Sequence, residues 1–298
     1  DLYVANDFGA NAMYRNLGNG RFESVAEKLH TADRGSGMNV AVSDVNGDGK
    51  WDLYVTNIDM FSKNIKVVFP TDDSTIDISE SLTKSFQYLS GNQFYVSTAE
   101  GGFSSEESQR FEPRNRGWGW DAAFFDVDND GDKDLYLTNG WVQGSYAGGQ
   151  KNQLYLNGDG YFYAGPEDQD YAFAGNSRSA ALLDFDNDGD LDIVVNNFRQ
   201  PPRLLENVQH SGNRWLRIAL KGKGNNPYAI GAKVEIRFDG KTVLRQVAGG
   251  RGYLSQDSST LSIGLGKAKL ADLKVFWPDG STSEHKGLRS DALHRIEQ

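Results

Sequence analysis

A chain of 298 residues suggests about two domains at roughly 150 residues each, and 31 Lys plus Arg against 41 Asp plus Glu give a formal charge of −10 that argues against nucleic acid as a partner. The absence of cysteine excludes disulfide frameworks, thiolate metal sites and cysteine nucleophiles, while no apolar run approaches the ~20 residues of a membrane helix and no stretch reads as a secretory leader. Glycine at 34 residues, proline at 7 and aromatics at 12% suit many short strands joined by tight turns, not helical bundles.

The charge is uneven. Residues 1–198 hold 14 basic and 32 acidic groups, a balance of −18, and residues 199–298 hold 17 and 9, a balance of +8. Two modules are expected, 1–209 and 213–298, joined through the polar stretch Gln209-His210-Ser211-Gly212-Asn213.

The first module is a repeat. It opens with Asp1-Leu-Tyr-Val-Ala-Asn6, the tail of a copy. Fuller copies follow at Asp44-Val-Asn46-Gly-Asp48-Gly-Lys50-Trp-Asp52, at Asp126-Val-Asp128-Asn-Asp130-Gly-Asp132-Lys-Asp134 and at Asp184-Phe-Asp186-Asn-Asp188-Gly-Asp190-Leu-Asp192. A second element recurs as Asn11-Ala-Met-Tyr14-Arg-Asn16 and Asn152-Gln-Leu-Tyr155-Leu-Asn157, with degenerate forms at Asn92-Gln-Phe-Tyr95 and Arg203-Leu-Leu-Glu-Asn207. Each unit reads as strand, acidic turn, strand, loop, strand, glycine turn, strand, which is the signature of propeller blades. Successive closing aspartates lie 51, 82 and 58 residues apart, so the middle interval holds an insertion or a blade without its acidic turn. Trp118-Gly-Trp120 is expected to pack between blades.

The acidic turn places oxygen side chains at positions 1, 3, 5 and 9, a glycine at position 6 for the reversal, and a position 7 carbonyl that can face inward. Hard oxygen donors in that number suit Ca²⁺ at ~2.3–2.6 Å, whereas Mg²⁺ demands a stricter octahedron. The candidate ligands are therefore Asp44, Asn46, Asp48, Lys50 (through its carbonyl) and Asp52; Asp126, Asp128, Asp130, Asp132 and Asp134; and Asp184, Asp186, Asp188, Asp190 and Asp192, for about three Ca²⁺ ions. The alternative is an Asx-rich turn with solvated carboxylates, against which stands the mutual repulsion of so many carboxylates in nine residues. The three loops hold 3, 5 and 5 aspartates, so the first is expected to be the weakest site.

These turns resemble the calcium-binding FG-GAP/VCBS repeats of β-propellers. In the second module, Asn213-Arg-Trp-Leu-Arg-Ile-Ala-Leu220, Ile230-Gly-Ala-Lys-Val-Glu-Ile236, Gly252-Tyr-Leu-Ser-Gln256, Ile263-Gly-Leu-Gly266 and Val275-Phe-Trp-Pro-Asp-Gly280 resemble the ASPIC/UnbV domain. The combination is similar to the cartilage acidic protein 1-like family. The resemblance implies an all-β chain, a calcium-binding propeller followed by a small antiparallel β-sandwich-like domain. It also implies an extracellular or cell-surface protein without established catalysis, assigned to adhesion or matrix binding, with protein or glycan as partner. Family propellers are larger, commonly about seven blades. The chain opens at position 9 of a loop, so a fragment is expected, or an opening blade completed by another chain.

Alternation in the second module is plain without the family: Leu216, Ile218 and Leu220, then Val234, Ile236 and Phe238, then Leu273, Val275 and Trp277 point to one face. The outward Arg and Lys form a solvated face or dock on an acidic surface, the first module of the same chain or of a neighbour. Docking between chains would make copies of the protein its own partner, head to tail.

Catalytic signatures are sparse. The four histidines have no zinc spacing, no G-x-S-x-G elbow occurs, and Gly240-Lys-Thr242 mimics only the end of a phosphate loop. Gly249-Gly-Arg-Gly252 reads as a turn more than as an anion cradle. An alternative to the binding module is a polysaccharide-acting hydrolase or lyase, for which Asp121 beside Trp118 and Trp120 is the one carboxylate outside the loops that can be named.

Overall fold

The computed structural model describes residues 1–7, 9–58, 91–105, 117–141, 150–158, 160–208 and 211–298, with the backbone of the short strands Val67–Val68 and Thr75–Ile76. Gln209 and His210, in the expected boundary, lie outside them. The fold is all-β: among the described residues there is no α-helix, and Asp170–Ala172 forms a single 3₁₀ turn.

The repeats become antiparallel meander sheets. The first contains Leu2–Val4, Ala12–Gly18 and Arg21–Ser24; the second Gly37–Ser43, Asp52–Asn57, Gln93–Ser97 and Phe103–Ser104. The third contains Gly119–Phe125, Asp134–Asn139, Gln153–Gly158 and Tyr161–Ala164; the fourth Ser177–Leu183, Asp192–Asn197 and Arg203–Leu205. Asp52–Asn57 pairs directly with Gln93–Ser97, so the long interval between closing aspartates contains an insertion within one sheet.

The sheets stack face to face in chain order, as blades do. Tyr54, Phe94 and Val96 of the second pack against Phe124, Leu135 and Leu137 of the third, whose other face (Phe125, Tyr136) meets Leu182, Ile193 and Val195 of the fourth. The third sheet is thus covered on both sides, which explains why every residue of Gly119–Phe125 and Asp134–Asn139 is buried. Such strands need continuous apolarity, not alternation.

The C-terminal residues form two sheets around one core of Leu216, Ile218, Val234, Ile236, Leu273, Val275 and their neighbours. One sheet is ordered Leu261–Gly266, Arg214–Lys221, Ala292–Glu297, the other Lys241–Gln246, Lys233–Phe238, Leu270–Phe276, Thr282–Arg289. The alternation read from sequence maps onto the buried face, and pairing is antiparallel except between Arg214–Lys221 and Ala292–Glu297, which run parallel. The last strand returns to the first only after the chain has built the whole second sheet, and it enters from the same end.

The first strands of the second, third and fourth sheets share a register shift, at Gly37/Asn39, Gly119/Asp121 and Ser177/Ser179. Asp121 ties these bulges together. It accepts hydrogen bonds from Asn39 Nδ2 at 2.8 Å and from the Ala180 amide at 2.9 Å, and the Arg251 guanidinium of the C-terminal domain lies 3.8 Å away. Asp121 is 0% exposed, and Trp118 and Trp120 beside it are buried, Trp118 stacking on Trp141 with ring centroids 4.2 Å apart and Trp120 meeting Tyr253. The tryptophans pack, as expected, against Ile58, Met38, Trp141 and Tyr253, and Asp121 is closed off from any substrate by its own polar partners. Removing one partner of a buried charged network leaves the others uncompensated. Asp121→Ala should therefore lower the unfolding free energy by about 3 kcal/mol or more in urea titrations followed by tryptophan fluorescence; a change below about 1 kcal/mol would contradict this role.

Candidate metal centre

Each acidic turn is shaped by its own side chains before any ion is considered. In the second loop Asp126 accepts the amides of Asp130 (3.1 Å) and Gly131 (2.9 Å), Asp128 accepts that of Asp130, and Asp130 accepts that of Asp132 at 2.8 Å. The first loop repeats this with Asp44, Asn46 and Asp48. Successive amides curled onto carboxylates are the Asx-turn chemistry that the spacing encodes. Gly131 and Gly189, both at position 6, adopt φ of +102° and +101°, a region costly for any residue with a Cβ.

The closing aspartates do something different. Asp134 accepts the Val127 amide of its own loop and the Asn157 amide of the third strand, both at 2.8 Å. Asp52 does the same with Val45 and Ser97, Asp192 with Phe185 and Asn207, and Asp1 accepts the Asn16 amide. These carboxylates are 0%, 3% and 1% exposed at Asp52, Asp134 and Asp192, so they fasten loop to sheet from inside. The recurring asparagines complete the frame: Asn157 donates through Nδ2 to the Val45 carbonyl in the preceding sheet's loop, and Asn207 to that of Val127. At the opposite strand ends, Asn92 and Asn152 accept the amides of Asn57 and Asn139. The repeated Asn residues are functional parts of the scaffold that sequence reading noted as pattern without assigning a role.

Two groups of carboxylates converge. Among the described residues, ligand oxygens of Asp126, Asp128 and Asp130 lie within 4.8 Å of one another, as do those of Asp184, Asp186 and Asp188. Positions 1, 3 and 5 are thus brought together in the second and third loops, while position 9 is turned to backbone amides. In the first loop Asn46 leaves only Asp44 and Asp48 for those three positions. The position 7 side chains point to other partners: Lys50 Nζ to the Thr98 carbonyl, Asp132 to Lys241, and Asp190 to Asn129 Nδ2 at 2.6 Å, so at Lys50, Asp132 and Asp190 the backbone carbonyl is the donor to consider.

The donor set fits a hard cation. All groups are oxygens, and in the third loop Asp184 Oδ1 is buried without a hydrogen-bond partner, although its counterparts in Asp44 and Asp126 accept an amide. Burial raises Asp126, and Asp130 beside it adds to the rise. Burial, reinforced by Asp126 and Asp128, pushes Asp134 up to about 8, and burial puts Asp52 at about 6. Carboxylates so desolvated and crowded favour a cation that would keep them ionised.

Part of that compensation comes from the C-terminal domain, which sits on the second and third loops. Arg217 Nη1 donates to Asp184 Oδ2 at 2.7 Å with both side chains largely buried, and Lys241 reaches Asp132 at 3.4 Å. A Cβ built on Gly189 would strike the Trp215 indole at 1.9 Å, and one on Gly131 would meet Phe238 at 3.1 Å, so the position 6 glycines also permit domain contact. Gly49, their equivalent in the first loop, faces open space. Arg251, from the stretch read as a turn, reaches furthest: it donates to the carbonyls of Ala122 (3.0 Å) and Ala180 (2.8 Å) and pairs with Asp257. Its flanking Gly252 passes so close to Asp121 that a Cβ would lie 2.6 Å from the carboxylate. The basic module docks on the acidic one within a single chain.

Residues 1–55 and 141–195 match the FG-GAP-like repeat family, and residues 222–298 match the ASPIC and UnbV family. The chain carries FG-GAP-like repeats and an ASPIC/UnbV domain. The second acidic loop lies between the matched segments, yet its hydrogen bonds are those of the other two. Over 94% of its length the chain is 27% identical to cartilage acidic protein 1 of Xenopus tropicalis and 25% identical to the proteins of that name from Mus musculus and Homo sapiens. It spans about 40% of the length of these curated relatives.

The FG-GAP loops therefore separate scaffold residues from candidate ligand residues. Asp134→Ala strands two buried amides at about 1–3 kcal/mol each and should destabilise the metal-free protein by about 2–5 kcal/mol. Exposed Asp186→Ala should change metal-free stability by less than about 0.5 kcal/mol while weakening Ca²⁺ binding at the third loop. Urea unfolding in chelator and calcium calorimetry distinguish the two, and equal effects on both quantities would contradict the division.

Proposed function

We propose that this chain is a non-enzymatic, extracellular calcium-binding adhesion or assembly module, in which Ca²⁺ at the FG-GAP loops keeps blades and ASPIC/UnbV domain in one rigid body that presents a surface to protein or glycan. The observation that carries this is the convergence of three carboxylates in each of two loops, with the orphaned Asp184 Oδ1 in the third. When bound, the ion would supply the positive charge on which the loops' carboxylate oxygens converge. Asp126, Asp128 and Asp130 would hold one ion, Asp184, Asp186 and Asp188 another, and Asp44, Asn46 and Asp48 a third with fewer charges; the carbonyls of Lys50, Asp132 and Asp190 complete the candidate sets, while the closing Asp52, Asp134 and Asp192 hold the loops to their sheets.

The extracellular setting comes from the family resemblance, and extracellular modules of this kind bind calcium around 10⁻⁴–10⁻³ M. The charge complementarity that would join copies head to tail is largely used inside the chain, through Arg217, Lys241 and Arg251, which leaves protein or glycan as the favoured partner. The hydrolase alternative draws no support from Asp121, buried and saturated by hydrogen bonds.

Binding that favours the folded state raises stability by mass action, about 0.4–1.4 kcal/mol per site at a one- to tenfold excess over Kd. Millimolar Ca²⁺ should raise the melting temperature by several degrees over chelator, Mg²⁺ at equal concentration should do much less, and the first loop should saturate last. Unchanged melting in calcium would contradict the reading.

A further inference from the structure

Between the ASPIC/UnbV domain and the four repeat sheets lies a cavity of about 770 Å³, within the range that accommodates a small-molecule ligand. Its lining runs against the acidic character of the protein: seven lysines and arginines against three aspartates. Two of those aspartates, Asp184 and Asp257, are already paired with Arg217 and Arg251.

Arg245 is the exceptional member. It stands on the edge strand Lys241–Gln246, is 7% exposed, and uses Nη1 to donate to the Leu244 carbonyl at 2.8 Å. Its Nε and Nη2 are buried with no hydrogen-bond partner. The Nε–Nη2 edge of a guanidinium presents two parallel N–H groups, the geometry that grips a carboxylate in bidentate fashion. Asp126, Asp44 and Asp132 exert an attraction on Arg245, but the first two give their oxygens to the amides of their own loops and Asp132 faces Lys241. Lys133 lines the same cavity, near enough to Arg245 for the two charges to repel. A buried guanidinium edge without a partner is costly, and a second cation beside it compounds the cost. Nε of Arg217, on the same wall, is unpartnered as well.

We propose that this cavity is a binding site for a carboxylate-bearing small molecule, whose carboxylate docks on the Nε–Nη2 edge of Arg245 with Lys133 as the neighbouring cation. Lys50, Lys133 and Asp184 bring all three acidic loops to the cavity wall, so the effects of calcium and of the carboxylate are read separately. An organic acid the size of a sugar uronate fits the space, and its carboxylate supplies what the protein leaves unmet.

The test uses the full chain, in calcium and again in chelator, with sodium acetate, glucuronate and sulfate as probes at matched ionic strength. The expected result is a saturable rise in melting temperature with acetate and a larger one with glucuronate, in both buffers, and a weaker effect of sulfate. Arg245→Met should melt no lower than the parent without probe, because an unpartnered buried charge has been replaced by an apolar side chain of similar length, and its apparent glucuronate affinity should fall at least tenfold. Arg245→Lys, which keeps the charge and loses the fork, should lie between them; it decides the matter if the methionine variant does not fold. The proposal is overturned if no carboxylate gives a saturable shift, if sulfate outperforms both carboxylates, or if glucuronate binds Arg245→Lys as tightly as the parent.

Discussion

The repeats are held by a carboxylate buried at the end of each one. The closing aspartate takes one amide from its loop and one from the third strand of its sheet, so the acidic turn cannot move without breaking the blade. Placing that anion inside the fold has consequences. The loop it closes carries further carboxylates within a few ångströms, and none of them can be left uncompensated at low dielectric. One source of positive charge is in place, the guanidinium and ammonium groups delivered by the C-terminal domain, and the oxygen-only donor sets suit a hard cation as a second.

Seen this way, the domain docking and the candidate metal centres are one electrostatic problem solved twice. Where the C-terminal domain approaches most closely, at the second and third loops, the aspartates are most numerous and the position 6 glycine admits an aromatic ring. The first loop, poorer in carboxylates, has no such cover at Gly49. Arg251 and Asp121 extend the same logic to the hub, where one guanidinium bridges the carbonyls of two sheets and lies beside the carboxylate that joins three. Arg245 departs from the pattern, since at the wall of a cavity its Nε and Nη2 are buried without a hydrogen-bond partner.

Much of this was legible in the sequence. The acidic turns, the strand that leaves each one, the alternating core of the second module and the charge asymmetry all follow from local patterns that the structure realises directly. Three things were not. The roles of Asn157 and Asn207 depend on a carbonyl in the preceding sheet, more than 75 residues away, and no local period reports that contact. Arg251 looked like part of a turn because its flanking glycines are turn residues, whereas Gly252 is there to let the backbone reach Asp121. Asp121 itself drew notice only as a carboxylate beside tryptophans, and its burial comes from the stacking of three sheets and a domain upon one position. Long-range enclosure, which sequence spacing does not encode, separates a structural carboxylate from a catalytic one.

The central claim is that calcium at the FG-GAP loops and the docking of the ASPIC/UnbV domain are coupled. Hydrogen–deuterium exchange of the full chain, with saturating calcium and with chelator, tests it most directly. The account predicts that calcium slows exchange in the loops at 126–134 and 184–192 and also in Arg214–Lys221, Lys241–Gln246 and the 249–258 segment, which touch or face those loops without contributing a candidate ligand. Protection confined to the loops, or none anywhere, would contradict it.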